Sequence, residues 1–372
     1  MLSWIERSGE LATLKFSERT AAGWTPARTI SSGKDWFVNW ADVPSALRLP
    51  SGAIVAHWLQ KSAASTYAYD VRLSYSRDDG KTWSPSFTPH HDGTPTEHGF
   101  ASLFAMGDGF GLVWLDGRDT QDAPKPGDGA KAAGHDDHGG GAMSVRFARF
   151  DQGFKQIEES AVDTKVCECC PTTAAVTMEG IITAYRNRSD EEIRDNYVAR
   201  LVGGKWSTPQ AVFNDGWTIA ACPVNGPSLS ASGNAVAMAW FTVKHEQGQA
   251  YAAFSQDAGK TFGAPIRVDD GGTLGRVDIE MLPDGAALAT WIEFADQPGA
   301  PKPAGAGGSQ FRARRIDRNG TRSAPMTIAG IAGSRASGYP RAAIANGEVV
   351  FAWTESADGG GLQVRTSVAR LP

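Results

Sequence analysis

Cysteine is scarce: four residues in a chain of 372, too few for a disulfide scaffold of this size, so those four need a local explanation. Long apolar runs are missing as well, and nothing approaches the ~20 consecutive apolar residues a spanning helix needs. Neither sign of charge dominates. Lys and Arg number 36 against 41 Asp and Glu, a net charge of −5, with no basic patch that would suit nucleic acid. The opening Met1-Leu2-Ser3-Trp4 starts no secretory signal, so the chain is expected to be cytosolic or a trimmed exported form. Runs of strong helix formers are short, whereas Gly 43 and Trp 12 point to an all-β chain rich in turns. The length is ample for a buried core.

What is present in abundance is repetition. Ser76-Arg77-Asp78-Asp79-Gly80-Lys81-Thr82-Trp83 returns as Ser255-Gln256-Asp257-Ala258-Gly259-Lys260-Thr261-Phe262. Each copy follows an alternating run, Val71–Tyr75 or Ala250–Phe254, that reads as a half-buried strand. The Asp is expected to fold back onto turn N–H groups, the Gly to supply φ > 0, and the aromatic to pack the hairpin against a neighbour. Ser76, Asp78, Gly80, Trp83 and their counterparts Ser255, Asp257, Gly259, Phe262 are therefore structural. Asp151-Gln152-Gly153-Phe154 is a degraded copy.

Used as a ruler, the motif exposes a longer unit of two inner strands ending in an aromatic, a variable loop, an alternating strand and a hairpin. The inner pairs are Pro44–Trp58, Ala101–Trp114, Thr172–Tyr185, Pro227–Trp240, Val277–Trp291 and Pro340–Trp353. Six such repeats predict a single-domain, six-bladed β-propeller of four-stranded antiparallel blades over residues 1–372. The last repeat runs out at Val364–Leu371, while Leu11–Ser17 and Gly23–Ile30 look like a detached hairpin. The ring is thus expected to close by the N-terminal segment pairing with the last blade. In such meanders the Asp-containing turns lie opposite the face that carries function.

On these motifs the chain resembles the sialidase superfamily, whose six-bladed propellers carry Asp-box repeats, over nearly its whole length. The resemblance implies a Tyr nucleophile helped by Glu, an Asp acid/base and three Arg that grip a substrate carboxylate. Tyr339, in Gly338-Tyr339-Pro340, falls where that Tyr would open the last blade. Elsewhere the chain departs from the pattern. Asp42-Val43-Pro44 replaces Arg-Ile-Pro, Lys61–Tyr69 holds no acid/base carboxylate, and Trp240-Phe241-Thr242 stands where another Arg ends a strand.

The same face collects every cysteine. Cys167, Cys169 and Cys170 lie in the loop entering the third repeat and Cys222 in the loop entering the fourth. Two readings stay open: a disulfide from Cys222 to one of the other three, or a thiolate site for Cu(I) or Zn(II). His90, His91, His98, His135, His138 and His245 fall in loops of that face, and only His57 sits inside a strand. Arg118, Arg186, Arg188, Arg194, Arg276 and Arg341 line it too, as a structural salt-bridge belt or as a cup for an acidic ligand. Trp36, Trp40 and Trp217 are candidate stacking surfaces for a sugar ring.

The sequence thus points to an atypical sialidase-like propeller with a soft-metal site, Cu or Zn, built from Cys167, Cys169, Cys170 and Cys222 with His98 helping. The alternative is an exo-acting glycoside hydrolase or glycan-binding propeller for acidic sugars, using Tyr339, the Arg set, Trp40 and Trp217. Cysteines that bind metal or one another fit a periplasmic or secreted setting.

Overall fold

Both Ser-x-Asp-x-Gly-x-Thr-aromatic stretches fold as the turn they spell. Ser76 Oγ donates to Asp78 Oδ1 at 2.8 Å and accepts the Gly80 N–H at 2.8 Å. Asp78 in turn accepts the N–H and the hydroxyl of Thr82 at 2.9 and 2.7 Å. Ser255, Asp257, Gly259 and Thr261 repeat the pattern at 2.7, 2.9, 2.9 and 2.6 Å. The Thr82 hydroxyl and N–H hold the Asp78 carboxyl at about 2. Burial pulls the Asp257 carboxyl up, yet the Thr261 hydroxyl and N–H with the Ser255 hydroxyl together hold it at about 2. In each turn the residue before the Gly shares its left-handed backbone, Asp79 at φ 60° and Ala258 at φ 57°. The aromatic packs on a neighbour as expected, Trp83 meeting Phe16 edge-on at 6.1 Å.

Gly259 carries the tightest constraint of the second turn. Its φ is +80°, and a Cβ there would come within 2.1 Å of Ile182 Cδ1 in the core. Gly259→Ala combines a left-handed L-residue with overpacking and is expected to cost about 2–4 kcal/mol. Urea denaturation of the variant tests this; a loss below about 1 kcal/mol would show that the turn is not strained.

The computed structural model describes residues 1–121, 141–295, 308–357 and 360–371. The chain divides into two compact units, the first Met1–Glu168 with Ala220–Cys222, the second Cys169–Ile219 with Pro223–Pro372. Among the described residues the first unit holds three antiparallel sheets of three or more strands: Leu2–Ser8, Leu11–Ser17 and Arg28–Gly33; Ser45–Arg48, Ile54–Lys61 and Tyr69–Ser76; and His98–Met106, Gly109–Asp116, Met143–Phe150 and Gln156–Val166. The second unit holds four. They begin at Thr173–Val176, Ser228–Ser232, Thr273–Met281 and Arg341–Ala345, and each proceeds strand by strand in chain order, save that Gln210–Ala211 pairs back onto Asn196–Val202. Second strands are covered on both faces, so Gly109–Asp116 is buried at every residue and Ile54–Lys61 at its first six. Among the described residues no helix is long and apolar enough to cross a membrane.

This is an all-β propeller architecture, with seven sheets of three or more strands among the described residues where six were expected. The extra one is N-terminal, and a side-chain pattern identifies it as a blade in its own right. In the third, sixth and seventh sheets a second-strand Trp donates its indole N–H to the acid two residues on. These pairs are Trp114 to Asp116 at 2.8 Å, Trp291 to Glu293 at 2.7 Å and Trp353 to Glu355 at 3.0 Å. Directly across from each Trp stands an Arg of the third strand: Arg146, Arg312 and Arg365. The first sheet repeats this with Trp4 to Glu6 at 3.0 Å, Lys15 opposite Trp4, and a Lys15–Glu6 ion pair at 2.6 Å.

Leu2–Ser8 and Leu11–Ser17 therefore occupy the places of second and third strands, and Arg28–Gly33 that of the fourth. The expected closure by this segment is not seen among the described residues: its strands pair with one another. The reason is that the segment has an apolar face of its own. Ala12, Leu14, Phe16 and Ile30 are buried against Ile54, Ala56 and Trp58 of the second sheet. Four strands per blade is corrected. The second sheet has three strands plus an isolated bridge at Leu73–Phe87, and the seventh has three.

Candidate functional site

Cys167, Cys169 and Cys170 belong to one tight turn after the strand Gln156–Val166, so their proximity follows from the local chain path. Their sulfurs lie within 4.8 Å of one another. Cys167 and Cys170 are fully buried, at 0% and 1% exposure, and Cys169 is half-buried. No disulfide joins any of the four cysteines. Thiolates on one Zn²⁺ at ~2.3 Å sit roughly 3.8 Å apart in a tetrahedron, so only a small contraction separates this group from a ligand set. Cys222 and His98 are not members of this three-sulfur group.

Within the second unit, Asn225 organises what surrounds Cys170. Its backbone N–H donates to Cys170 Sγ at 3.4 Å. Its Oδ1 accepts the Arg276 N–H at 2.7 Å, and its Nδ2 reaches the carbonyls of Pro223 and Leu274, each at 3.3 Å. Gly226 beside it lets two backbones approach, since a Cβ there would lie 2.1 Å from the Pro171 carbonyl oxygen. Tyr339 comes to the same place. Its hydroxyl donates to the Val224 carbonyl, and burial pushes the phenol well up, with Cys170 adding to the rise. Arg276 fixes the turn ahead of Tyr339 by donating to the Ser334 and Gly338 carbonyls, both at 3.1 Å, and to Ser337 Oγ at 2.6 Å.

The remaining arginines are engaged internally. Arg186 is 1% exposed and donates to the carbonyls of Asn225 (3.0 and 2.7 Å), Arg194 (2.6 Å) and Phe241 (2.7 Å), with Trp217 stacked 5.0 Å from its guanidinium. Arg188 and Arg194 share Glu192, at 2.5 and 2.9 Å. Arg118 binds Asp116 at 2.8 Å and Glu159 at 2.9 Å. Arg341 pairs with Asp278 at 3.3 Å but keeps 44% of its side chain exposed, with its guanidinium 5.8 Å from the Tyr339 ring. Trp40 is half-buried, and Trp36 is buried and stacked on Trp58 at 5.3 Å.

Asp42 does not face a ligand; it is 3% exposed and accepts the Phe100 N–H at 2.7 Å. His57 is a buried strand residue as expected, held down at about 4 by burial. His98 belongs with Asp70, His90, Asp92 and Asp116. His135 and His138 lie outside the described residues. Sequence reasoning missed Asn225: its Asn-Gly pair reads as an ordinary turn, and only the fold brings Cys170, Arg186 and Arg276 to it.

No family model and no curated protein matches the sequence. Solved structures do. The NanB sialidase of Streptococcus pneumoniae aligns at TM-score 0.50 and 11% identity, covering 83% of this chain and 64% of that one. A Hadza microbial sialidase aligns at 0.50 and 12%, covering 88% and 65%. The Trypanosoma rangeli sialidase aligns at 0.51 and 9%, covering 95% and 57%. The chain thus spans less than two thirds of the length of each of these chains, and identities this low speak for the fold alone. The protein has the sialidase-like β-propeller fold.

Proposed function

We propose that the protein binds a soft transition-metal ion through Cys167, Cys169 and Cys170, and that its sialidase-like fold serves as scaffold rather than as a conventional sialidase. The observation that carries this reading is the convergence of three thiol sulfurs within 4.8 Å in one turn. Three soft donors suit Cu(I), while Zn(II) would complete its tetrahedron with an outside ligand. The Asn225 N–H donates to Cys170 Sγ, and burial of Cys167 and Cys170 shields the group from oxidants. Elemental analysis of protein purified without chelator, paired with a thiol count under denaturing conditions, tests it. The expected result is about one Cu or Zn per chain with all four thiols recovered, and loss of the metal in the Cys169→Ser/Cys170→Ser variant. Unchanged metal content in that variant would sink the reading.

A second reading draws on Arg341, whose guanidinium stands beside Tyr339 and remains partly exposed. An acidic sugar bound there would lose affinity in Arg341→Ala and in Tyr339→Phe. A flat response of the parent protein to a panel of acidic oligosaccharides discards it.

A further inference from the structure

Five ionisable side chains converge inside the first unit. Asp70 lies at the start of the strand Tyr69–Ser76, His90 and Asp92 in the loop that leads into the third sheet, and His98 opens that sheet. Asp116 closes the next strand, where register sets it directly opposite His98. The two imidazoles are 0% and 5% exposed for His98 and His90. Their rings stack in parallel, with centroids 3.9 Å apart and 4° between planes. Both ring nitrogens of His98, His90 Nε2 and Asp92 Oδ2 are buried without a hydrogen-bond partner. Leaving such groups unsatisfied in a core is costly and calls for an explanation.

The neighbouring carboxylates stand at the long edge of hydrogen-bond distance or beyond it, and their placement is ordered. Asp92 Oδ2 faces His90 Nδ1 at 3.4 Å and His98 Nε2 at 3.3 Å, so one oxygen selects the tautomer of both rings. With both rings neutral, that leaves lone pairs on His90 Nε2 and His98 Nδ1. Both point to the same acceptor, Asp70 Oδ1, at 4.0 and 3.7 Å. A structural ion pair would draw N–H onto oxygen at about 2.7–2.9 Å. Here instead two imidazole lone pairs and a carboxylate converge, while a further carboxylate sits behind the rings as it does behind metal-bound histidines.

We propose that His90 Nε2, His98 Nδ1 and Asp70 form a binding site for a divalent transition ion, with Asp92 as the carboxylate that orients both imidazoles. The donor set is two nitrogens and an oxygen, suited to Zn²⁺, Mn²⁺, Fe²⁺ or Co²⁺, and it is harder than the all-sulfur cysteine group. Arg118 is already shared among Asp116, Glu159 and Asp92, so the carboxylate left for an incoming cation is Asp70. The Asp70 side chain keeps 23% of its surface, which provides an entry path and an open coordination position. Binding requires the rings to tilt from parallel and the three donors to close by roughly half an ångström toward the ~3.0–3.5 Å spacing of ligands around one ion.

Metal-stripped protein titrated with Mn²⁺, followed by the loss of the free-ion EPR signal, tests the site. The parent and the Cys169→Ser/Cys170→Ser variant are expected to take up about one Mn²⁺ per chain. D70N, nearly isosteric at a partly exposed position, and H90Q are expected to bind at least ~100-fold more weakly, and D92N about 10–100-fold more weakly. Circular dichroism checks that each variant is folded. Should H90Q fail to fold, Co²⁺ bound to the Cys169→Ser/Cys170→Ser variant supplies an independent readout: visible d–d bands without a sulfur-to-cobalt charge-transfer band. No uptake of Mn²⁺ or Co²⁺ at millimolar concentration, uptake unaltered in folded D70N, or a thiolate charge-transfer band would each overturn the proposal.

Discussion

Replacing Arg186 by methionine is expected to destabilise the second unit by about 3–5 kcal/mol, even though this arginine has the look of a ligand-binding residue in the sequence. The guanidinium is 1% exposed and satisfies the carbonyls of Asn225, Arg194 and Phe241 together. Methionine fills much of the same space but donates nothing, and each buried carbonyl left unpaired costs about 1–3 kcal/mol. The stacking on Trp217 goes as well, worth on the order of 1–2 kcal/mol in a desolvated setting. Because Asn225 also presents its N–H to Cys170, the variant should weaken metal uptake alongside stability. Lysine should recover only part of the loss, since one ammonium cannot span three carbonyls with the planar fork of arginine. Urea denaturation at neutral pH decides the point. A change below about 1 kcal/mol in Arg186→Met would show that the side chain is available for a ligand rather than committed to the fold.

Asp42→Asn is expected to change the pH dependence of stability more than any surface substitution. Burial pushes the Asp42 carboxyl up to about 8, opposed by the Phe100 N–H and reinforced by Glu97. In the unfolded chain it titrates near 3.9. Between those values the folded protein holds a proton that the unfolded chain has released, so stability falls as pH rises. The contribution is fully present below about pH 4 and gone above about pH 8. At ~1.4 kcal/mol per unit the total reaches several kcal/mol. Asparagine keeps an acceptor for the Phe100 N–H and carries no charge at any pH. The variant should match the parent within about 1 kcal/mol near pH 4 and exceed it by several kcal/mol at pH 9, as read from urea midpoints. Parallel stability curves for the two proteins would mean that Asp42 is ionised in the fold at neutral pH.

Much of the architecture is written locally. The two Asp boxes act through hydrogen bonds spanning at most four residues, so their turns could be read from Ser76–Trp83 and Ser255–Phe262 alone. The six inner strand pairs followed from turn residues and terminal aromatics for the same reason. The first sheet was harder to see because it lacks a first strand, and its identity rests on a cross-strand relation. Trp4, Glu6 and Lys15 resemble Trp353, Glu355 and Arg365 only once the strands are paired.

The three-thiol group was legible because Cys167, Cys169 and Cys170 are neighbours in the chain, and short-range geometry brings their sulfurs together. Where long-range pairing decides the outcome, residue type left two readings open, an acidic-ligand cup or a salt-bridge belt. The arginines that suggested an acidic ligand are mostly spent on carbonyls and carboxylates brought to them from distant strands, as Arg186 and Arg118 show. His98 sits in a loop-like stretch beside candidate ligands in the sequence. Strand register places it opposite Asp116, stacks it on His90 and aims it at Asp70. The sequence by itself determined turns, strand order and a local sulfur cluster, all interactions of short span. The tertiary structure alone decided which charges are consumed inside the fold and which buried imidazole nitrogens are left without a hydrogen bond, because those depend on groups meeting from opposite ends of different strands.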